Sequence, residues 1–303
     1  MGLPVPATVA GATDQQTQQL FGLANAVGDD LLSRGEWVAL QTQAIINVEA
    51  PITTTGTVTE GSRGIADIPA DLLGLDPTVY VVSGNGIQVA SRVTEITVNM
   101  PGDDSLTMDM QATASGTGVD IVIARDTYAV PADFQTFINR TQWDRTNHWE
   151  LRGPMSPQEY QWVVSGIVTT GPRRRYREVG RGSNVFRIWP PPTAQDAPAT
   201  FAYEYLSAYW AQNSAGTPQS GFVLDTDACV FDDRVMIAGI KYMFFSVKGF
   251  DATRFERDYN LLASVSQGRD GGSPTLDMAR RRWPIFISPA STPDGFFPGP
   301  GNP

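Results

Sequence analysis

Four aspartates, Asp225, Asp227, Asp232 and Asp233, form the densest group of potential metal ligands in the chain. Carboxylate oxygens are the ligands that Ca²⁺ and Mg²⁺ prefer. The segment lacks the glycine and the terminal glutamate of a calcium-binding loop. Asp232 and Asp233 directly precede an apolar run, and carboxylates stabilise the first turn of a helix. We therefore expect these aspartates to serve helix capping, and we expect neither a metal nor a cofactor.

The chain contains a single cysteine, Cys229, and a single histidine, His148. One cysteine permits neither an intrachain disulfide nor a cysteine-based metal site, so we expect Cys229 to be a small buried apolar side chain. A Ser-His-Asp or Cys-His arrangement has little support, and His148 is expected to be structural. A carboxylate pair for glycoside hydrolysis stays open, although the acidic residues mostly precede helices or lie in turns. We expect a protein that is not an enzyme.

Two further motifs have a chemical and a plain interpretation. The glycine-rich sequence 84–86 (Gly-Asn-Gly) lacks the Lys-Ser/Thr of a phosphate-binding loop, and no helix follows it, so a β-turn is expected. Four aromatic residues could line a sugar-binding surface, but at this spacing we expect them to pack in a core. These residues are Trp143, Trp149, Tyr160 and Trp162.

An arginine cluster is the sharpest charge feature, with five arginines in nine residues: Arg173, Arg174, Arg175, Arg177 and Arg181. One interpretation is a hairpin that faces DNA or an acidic neighbouring subunit. The other is a solvated hairpin tip. Sequence alone leaves both open.

Composition bounds the class of protein. The chain has 303 residues, of which 41% are hydrophobic, and these values fit about two domains with a packed core. Its net charge of −10 argues against a surface that grips nucleic acid throughout. No apolar run approaches the length of a membrane span. The N-terminus lacks the pattern of a signal peptide, so we expect the protein to stay in the compartment where it is made.

Periodicity predicts the elements of the N-terminal half. A capping box at 13–16 (Thr-Asp-Gln-Gln) precedes a one-faced helix that Gly35 ends. Residues 36–48 fit either a second helix or a helix that passes into a strand. From Pro51 to Asp126, short β-rich runs alternate with turn signals, and Val119, Ile121 and Ile123 mark a half-buried strand. We expect an all-β module there.

The C-terminal half begins with a second capping box at 156–159 (Ser-Pro-Gln-Glu), which opens a short helix. Strands are predicted within 166–170, 173–179, 184–190 and 199–210, with Phe201, Tyr203 and Tyr205 on one face. Residues 235–248 form a helix that is apolar on nearly all sides, so it is central in a bundle or lies at an oligomer interface. Asp251 caps a last helix, which Gly268 ends. The Gly/Pro-rich remainder of the chain, from Gly271 onward, shows neither a helical nor a strand pattern.

Three motifs, together with the closing pair of helices, carry a family resemblance. They are TYAVPADF at 127–134, DRTNHWELRGPMSPQEYQWVVSG at 144–166 and FRIWPPP at 186–192. With these features the chain resembles head–tail adaptor (connector) proteins of tailed double-stranded DNA phages, weakly over 14–50 and well over 127–270. In that family a stretch like TYAVPADF ends a strand and turns into a short helix. Residues 51–126 resemble a small β module of phage structural proteins.

The resemblance implies an α+β fold with an inserted module. A helical segment at 1–50 and helices at 222–268 would form one bundle. A central β domain with short helices would occupy 127–221, the all-β module 51–126, and an extended arm 269–303.

The resemblance also implies a function and partners. The protein would be a structural ring in the virion, usually dodecameric, that docks under the portal, joins head to tail or nozzle, and lets genomic DNA pass. It would contact no membrane. The arm would dock on the portal or on a neighbouring copy through Arg280, Arg281, Arg282, Trp283, Phe286, Phe296 and Phe297. The alternative is a receptor- or carbohydrate-binding tail component, favoured by the β module and the aromatic residues.

Overall fold

A computed structural model describes residues 8–99, 103–165, 174–180, 184–193 and 199–271. This part of the chain is mixed α+β, as predicted, with four α-helices, two short 3₁₀ helices (Val38–Leu40 and Pro77–Val79) and seventeen strands. The α-helices are α1 (Gln15–Ser33), α2 (Pro157–Ser165), α3 (Asp233–Val247) and α4 (Thr253–Asp270).

The strands are short, and most of them pair antiparallel. They are β1 (Gln41–Asn47), β2 (Ile52–Val58), β3 (Gly64–Ile68), β4 (Tyr80–Gly84), β5 (Ser91–Thr97), β6 (Asp104–Met108), β7 (Gly116–Arg125), β8 (Thr127–Ala129), β9 (Phe134–Phe137), β10 (Trp143–Asp144), β11 (Trp149–Glu150), β12 (Arg175–Glu178), β13 (Asn184–Trp189), β14 (Thr200–Ser207), β15 (Ala211–Gln212), β16 (Pro218–Gln219) and β17 (Ala228–Cys229).

The described chain divides into two compact units. The first, called the helical unit, takes the described residues as far as Gln43, Asp133–Phe137, and those from Glu204 onward. The second, called the barrel unit, takes the described residues of 44–132 and 138–203. Strands β1 and β14 each contribute residues to both units. Two smaller sheets complete the fold, β12-β13-β8 in the barrel unit and β16-β15-β17 in the helical unit.

Six strands of the barrel unit close into a barrel in the order β2-β3-β6-β5-β4-β7. The alternating pattern predicted for β7 is confirmed, because Ile121 and Ile123 are buried in the barrel interior together with Ile65, Leu106 and Met108. The expected turn after β4 is also present, since the Ile87 amide donates to the Gly84 carbonyl oxygen at 3.2 Å. Closure satisfies the edge groups that an open sheet would expose.

An aromatic stack organises the remainder of the barrel unit. The rings of Tyr176 and Phe186 lie 5.3 Å apart, and those of Phe186 and Tyr203 lie 5.2 Å apart. Strand β14 departs from the prediction: Ala202 and Leu206 are buried as well as the aromatic face, and Glu204 alone is exposed within 201–207. The strand pairs with both β9 and β10 within one sheet, and residues on both of its faces are buried.

The short helix implied after TYAVPADF is absent from the described residues that follow it. Strand β9 begins at Phe134 instead and pairs with the C-terminal end of β14. The Asp133 carboxylate fixes this change of direction, because it accepts hydrogen bonds from the Tyr205 hydroxyl at 2.9 Å and the Ser207 hydroxyl at 2.6 Å.

The helical unit packs α1, α3 and α4 around one apolar cluster, which includes Val27, Val235 and Tyr259. Gly239 of α3 makes close approach possible, because a Cβ there would lie 2.5 Å from a Val27 methyl carbon. Three details differ from the predictions. Asp14, not Thr13, is the N-cap of α1, because its carboxylate accepts from the Thr17 amide. Of the two alternatives for residues 36–48, the structure shows the second, a short 3₁₀ helix that passes into β1.

The closing helices supply the other two differences. The N-cap residue of α4 is Ala252 rather than Asp251, although the Asp251 carboxylate accepts from the Thr253 amide, and α4 continues through Gly268 to Asp270. Helix α3 packs against both α1 and α4, but it is not enclosed on all sides, because its buried residues are Val235, Met236 and Gly239; the alternative of an oligomer interface stays a prediction. The strand predicted at 166–170 and the residues of the arm lie outside the described residues.

Candidate interaction surfaces

Three of the four aspartates at 225–233 accept hydrogen bonds from backbone amides, and Asp233 is the first residue of α3. Asp232 is the N-cap of α3 and accepts from the Arg234 amide at 2.9 Å, which confirms the capping prediction for this residue. Asp227 accepts from the amides of Val223 and Leu224, both at 2.7 Å. Asp225 accepts from the amides of Val9 and Ala10. Within the described part of the chain, no three His, Cys, Asp or Glu side chains could hold a metal ion together.

The cysteine and the histidine have separate surroundings. Cys229 is half-buried rather than fully buried; its thiol donates to the Phe231 carbonyl oxygen at 3.1 Å, and burial raises the pKa of Cys229 to about 11. A thiol with a raised pKa is a poor nucleophile at neutral pH. His148 is exposed in the turn between β10 and β11, beside a depression of about 450 Å³ that Trp143, Asp144 and Arg145 also line.

The aromatic residues of 143–162 do not form one surface. Tyr160 is buried and packs edge-on against Trp189, with ring centroids 6.1 Å apart. Trp143 and Trp149 are half-buried. Trp162 is 63% exposed on α2, so the expectation of core packing is wrong for this residue. Helix α2 buries only one side, and Trp162 lies opposite it.

The described members of the arginine cluster have partners within the chain. Arg175 lies on β12 and forms an ion pair with Glu159 of α2. The Arg177 guanidinium lies 4.9 Å above the centre of the Tyr160 ring. The main chain at Arg174 accepts a hydrogen bond from the Arg152 amide. Arg175 and Arg177 therefore sit in the body of a strand that pairs with β13, not at a hairpin tip.

Two arginines of the cluster, Arg173 and Arg181, lie outside the described residues, as do all seven predicted arm residues at 280–297. The structure therefore brings Arg175 and Arg177 to α2. Their role in an interface or in DNA passage stays a prediction.

A buried charge cluster that the sequence did not suggest lies at the exit of the barrel. The Asp126 side chain has no exposed surface and receives two hydrogen bonds from Arg92 of β5, at 2.7 and 3.1 Å. The Arg187 guanidinium of β13 lies 3.5 Å from the same carboxylate, and Thr127 donates to it at 2.7 Å. Burial lowers the pKa of Arg187, and the Asp126 charge opposes that shift. One carboxylate thus holds two arginines from two sheets.

A cationic groove runs along the outer surface of α3 and α4 in the helical unit. It has a volume of about 500 Å³, and its lining residues are Arg234, Ile237, Ala238, Lys241, Arg254, Phe255, Asp258 and Leu262. Ile237, one of the lining residues, is 52% exposed. In the part of the chain that the structure describes, no ion pair engages the three cations. The groove presents an apolar floor with a positive rim.

An acidic loop, residues 222–227, lies in the same unit. Val223 and Leu224 are 62% and 58% exposed at its tip, and the exposed Asp225 follows them. The Phe222 ring anchors the loop edge-on against Trp210, with ring centroids 5.0 Å apart. The loop is therefore a fixed projection that carries apolar and negative groups.

A family model described as SU10 adaptor protein matches residues 105–282, which is more than half of the chain. The chain therefore belongs to the SU10 adaptor protein family. This is a family of structural phage adaptors and not an enzyme family, in agreement with the predicted phage head–tail adaptor. A search of curated proteins found no match. Among the described residues, no helix combines the length and the apolar character needed to cross a membrane.

Proposed function

We propose that the chain is the subunit of a closed adaptor ring in the virion, which docks under the portal and joins the head to the tail or its nozzle. The observation that carries this proposal is the outer surface of α3 and α4. A family of phage adaptors supplies the role, and this surface supplies the means of assembly. An apolar patch rimmed by charge is typical of a protein–protein interface.

The ring would enclose a lumen through which genomic DNA passes. A net charge of −10 per chain is multiplied by ring closure, and negative charge keeps DNA from adhering to the wall. The arginines at 173–181 would then face a neighbouring subunit or the mouth of the channel. The residues from Arg280 to Phe297 would form a docking arm for the portal or an adjacent copy.

The proposed domain organisation follows the same plan. The helices of 1–50 and 222–268 would form the bundle of the ring, and the central β domain would take 127–221. The barrel strands all lie between Ile52 and Arg125, which supports an inserted module at 51–126. The arm would begin at 269. In this organisation the helices form the ring contacts, and the barrel is a module inserted between them in the sequence.

The test is the mass of the assembly. The full chain is purified and measured by native mass spectrometry and electron microscopy, alone and with the portal protein of the same phage. We expect a closed cyclic oligomer, near twelve copies, either alone or on the portal. A closed ring is the outcome that heterologous contacts between identical subunits produce when their rotation closes.

The same measurement addresses the alternative of a receptor- or carbohydrate-binding tail component, for which the exposed Trp162 is the supporting observation. A trimer or a monomer that ignores the portal and binds glycan through Trp162 would overturn the adaptor proposal. A ring on the portal, unchanged by Trp162→Ala, would overturn the alternative.

A further inference from the structure

The structure assigns a specific contact to ring closure: the acidic loop of one copy inserts into the cationic groove of the next copy. This inference rests on the proposed function and names the surfaces that would carry it out. The loop contributes Val223 and Leu224 to the apolar floor around Ile237. The carboxylate of Asp225, which is exposed beside them, faces the cationic rim.

Charge complementarity selects the loop as the occupant. The rim holds three cations, Arg234, Lys241 and Arg254, against the single carboxylate of Asp258. The acidic loop, residues 222–227, contains two aspartates, Asp225 and Asp227, and no lysine or arginine. The negative charge of the loop matches the positive rim, and its apolar tip matches the apolar floor. Complementary charges of this kind fix the register of an interface.

The same criterion excludes two other occupants. The arm of this chain carries Arg280–Arg282, and a cationic rim repels that segment. A DNA phosphate backbone would satisfy the rim but would leave the apolar floor around Ile237 without an apolar partner. A second copy of the chain supplies both components at once.

Both surfaces are held in place before contact. The loop is fixed at its base by Asn25, which accepts from the Phe222 amide at 2.7 Å and donates to its carbonyl oxygen at 3.3 Å. Asp227 holds the amides of Val223 and Leu224 at its tip. At the groove, the rings of Phe245 and Phe255 stack with centroids 4.4 Å apart. Preorganised surfaces lose less conformational entropy on association.

The geometry of this contact is head-to-tail, because it joins two different surfaces of identical chains. Each copy uses its loop toward one neighbour and its groove toward the other. Contacts of this kind close into rings or continue as filaments, and they do not stop at a dimer. The contact therefore has the symmetry that a ring requires.

Two single substitutions separate the surfaces. Ile237→Asp places a carboxylate in the groove floor. An aspartate at this position lies four residues before Lys241 on α3, and an acidic residue at that spacing from a lysine is compatible with the helix. Leu224→Asp removes the apolar tip of the loop. Both side chains are more than half exposed, so the monomer should retain its circular dichroism and melting temperature. The matched control is Leu73→Asp, because Leu73 is also an exposed leucine but lies in the barrel unit, between β3 and the 3₁₀ helix Pro77–Val79.

Assembly is measured under the conditions in which the wild-type chain forms its closed oligomer, alone or on the portal. We expect each single variant to associate at least about tenfold more weakly than wild type, and Leu73→Asp to assemble normally. An equimolar mixture of the two variants is then examined by sedimentation without portal. One intact loop meets one intact groove in this mixture, so it should yield a heterodimer and nothing larger.

Three other outcomes would each contradict a different part of the proposal. If the single variants assemble as wild type does, this contact is wrong while the ring stands. If both are impaired but their mixture forms no heterodimer, the two surfaces bind something other than each other, and the pairing is wrong. If the wild-type chain forms no closed oligomer alone or on the portal, the proposed function itself fails.

Discussion

The barrel and the helical unit differ in how far they bury their apolar side chains. The barrel closes on itself and buries Ile65, Ile68 and Ile121 completely. The helices bury one side and leave the other uncovered. Of thirteen large apolar side chains that are exposed in the described chain, seven lie between Val223 and Val265, and three lie in the barrel segment. The barrel therefore buries most of its apolar side chains within the chain, whereas the helices leave an apolar surface that a partner could cover.

The largest effect should come from the buried charge cluster, where Asp126 joins the barrel residue Arg92 to Arg187 of β13. Asp126→Ala leaves Arg92 and Arg187 without their shared counter-ion in a buried site. Removal of one partner from a buried ion pair costs about 3–5 kcal/mol. We expect that loss in the free energy of unfolding of the barrel unit, measured by hydrogen exchange that resolves the barrel amides from those of α1, α3 and α4.

Glu49→Gln is the control for Asp126→Ala. Glu49 also pairs with an arginine, Arg125, but half of its side chain is exposed. An exposed pair contributes at most about 1 kcal/mol. Equal losses in the two variants would show that the burial of Asp126 confers no special stability.

The second effect is a direct test of the comparison between the two regions. Ile121→Ala removes a fully buried side chain from the barrel and should lower the free energy of unfolding by about 2–5 kcal/mol. Ile237→Ala removes a side chain of the same type from the exposed face of α3. Its effect on the monomer should stay within about 0.5 kcal/mol. Chemical denaturation of the monomeric chain measures both, and a large loss at Ile237 would mean that the groove belongs to the core of the monomer.

The sequence predicted the features that depend on neighbours along the chain. The alternation of β7 follows from the two-residue repeat of a strand, and the start of α3 follows from the carboxylate of Asp232. Barrel closure could not be predicted this way, because it depends on strands such as β2 and β7, which pair although more than sixty residues separate Thr54 from Ile121. Periodicity identifies a strand but not its partner.

The same limit applies to the candidate surfaces. Arg92, Asp126 and Arg187 are unremarkable in the sequence, and their cluster exists only because the barrel and β13 bring them together. The groove is partly foreseeable, since α3 is apolar on nearly all sides and such a helix needs a second partner. The sequence did not show that α3 lies at the surface. Nor did the run of arginines reveal that Arg175 pairs with Glu159.

The smallest effect on stability is expected at that pair, and it decides between the two interpretations of the arginine cluster. Arg175→Gln and Glu159→Gln each break the same partly exposed ion pair, so each should change the free energy of unfolding by less than about 1 kcal/mol. Their effects on particles should differ. If the cluster meets phosphates or an acidic neighbour, Arg175→Gln removes a needed charge and lowers particle yield or DNA retention, while Glu159→Gln leaves the guanidinium free and preserves both. Since the two variants share the same structural loss, any difference between them belongs to the arginine charge. If both variants give the particle yield and DNA retention of the wild type, the Arg175 charge serves only the structure of the barrel unit.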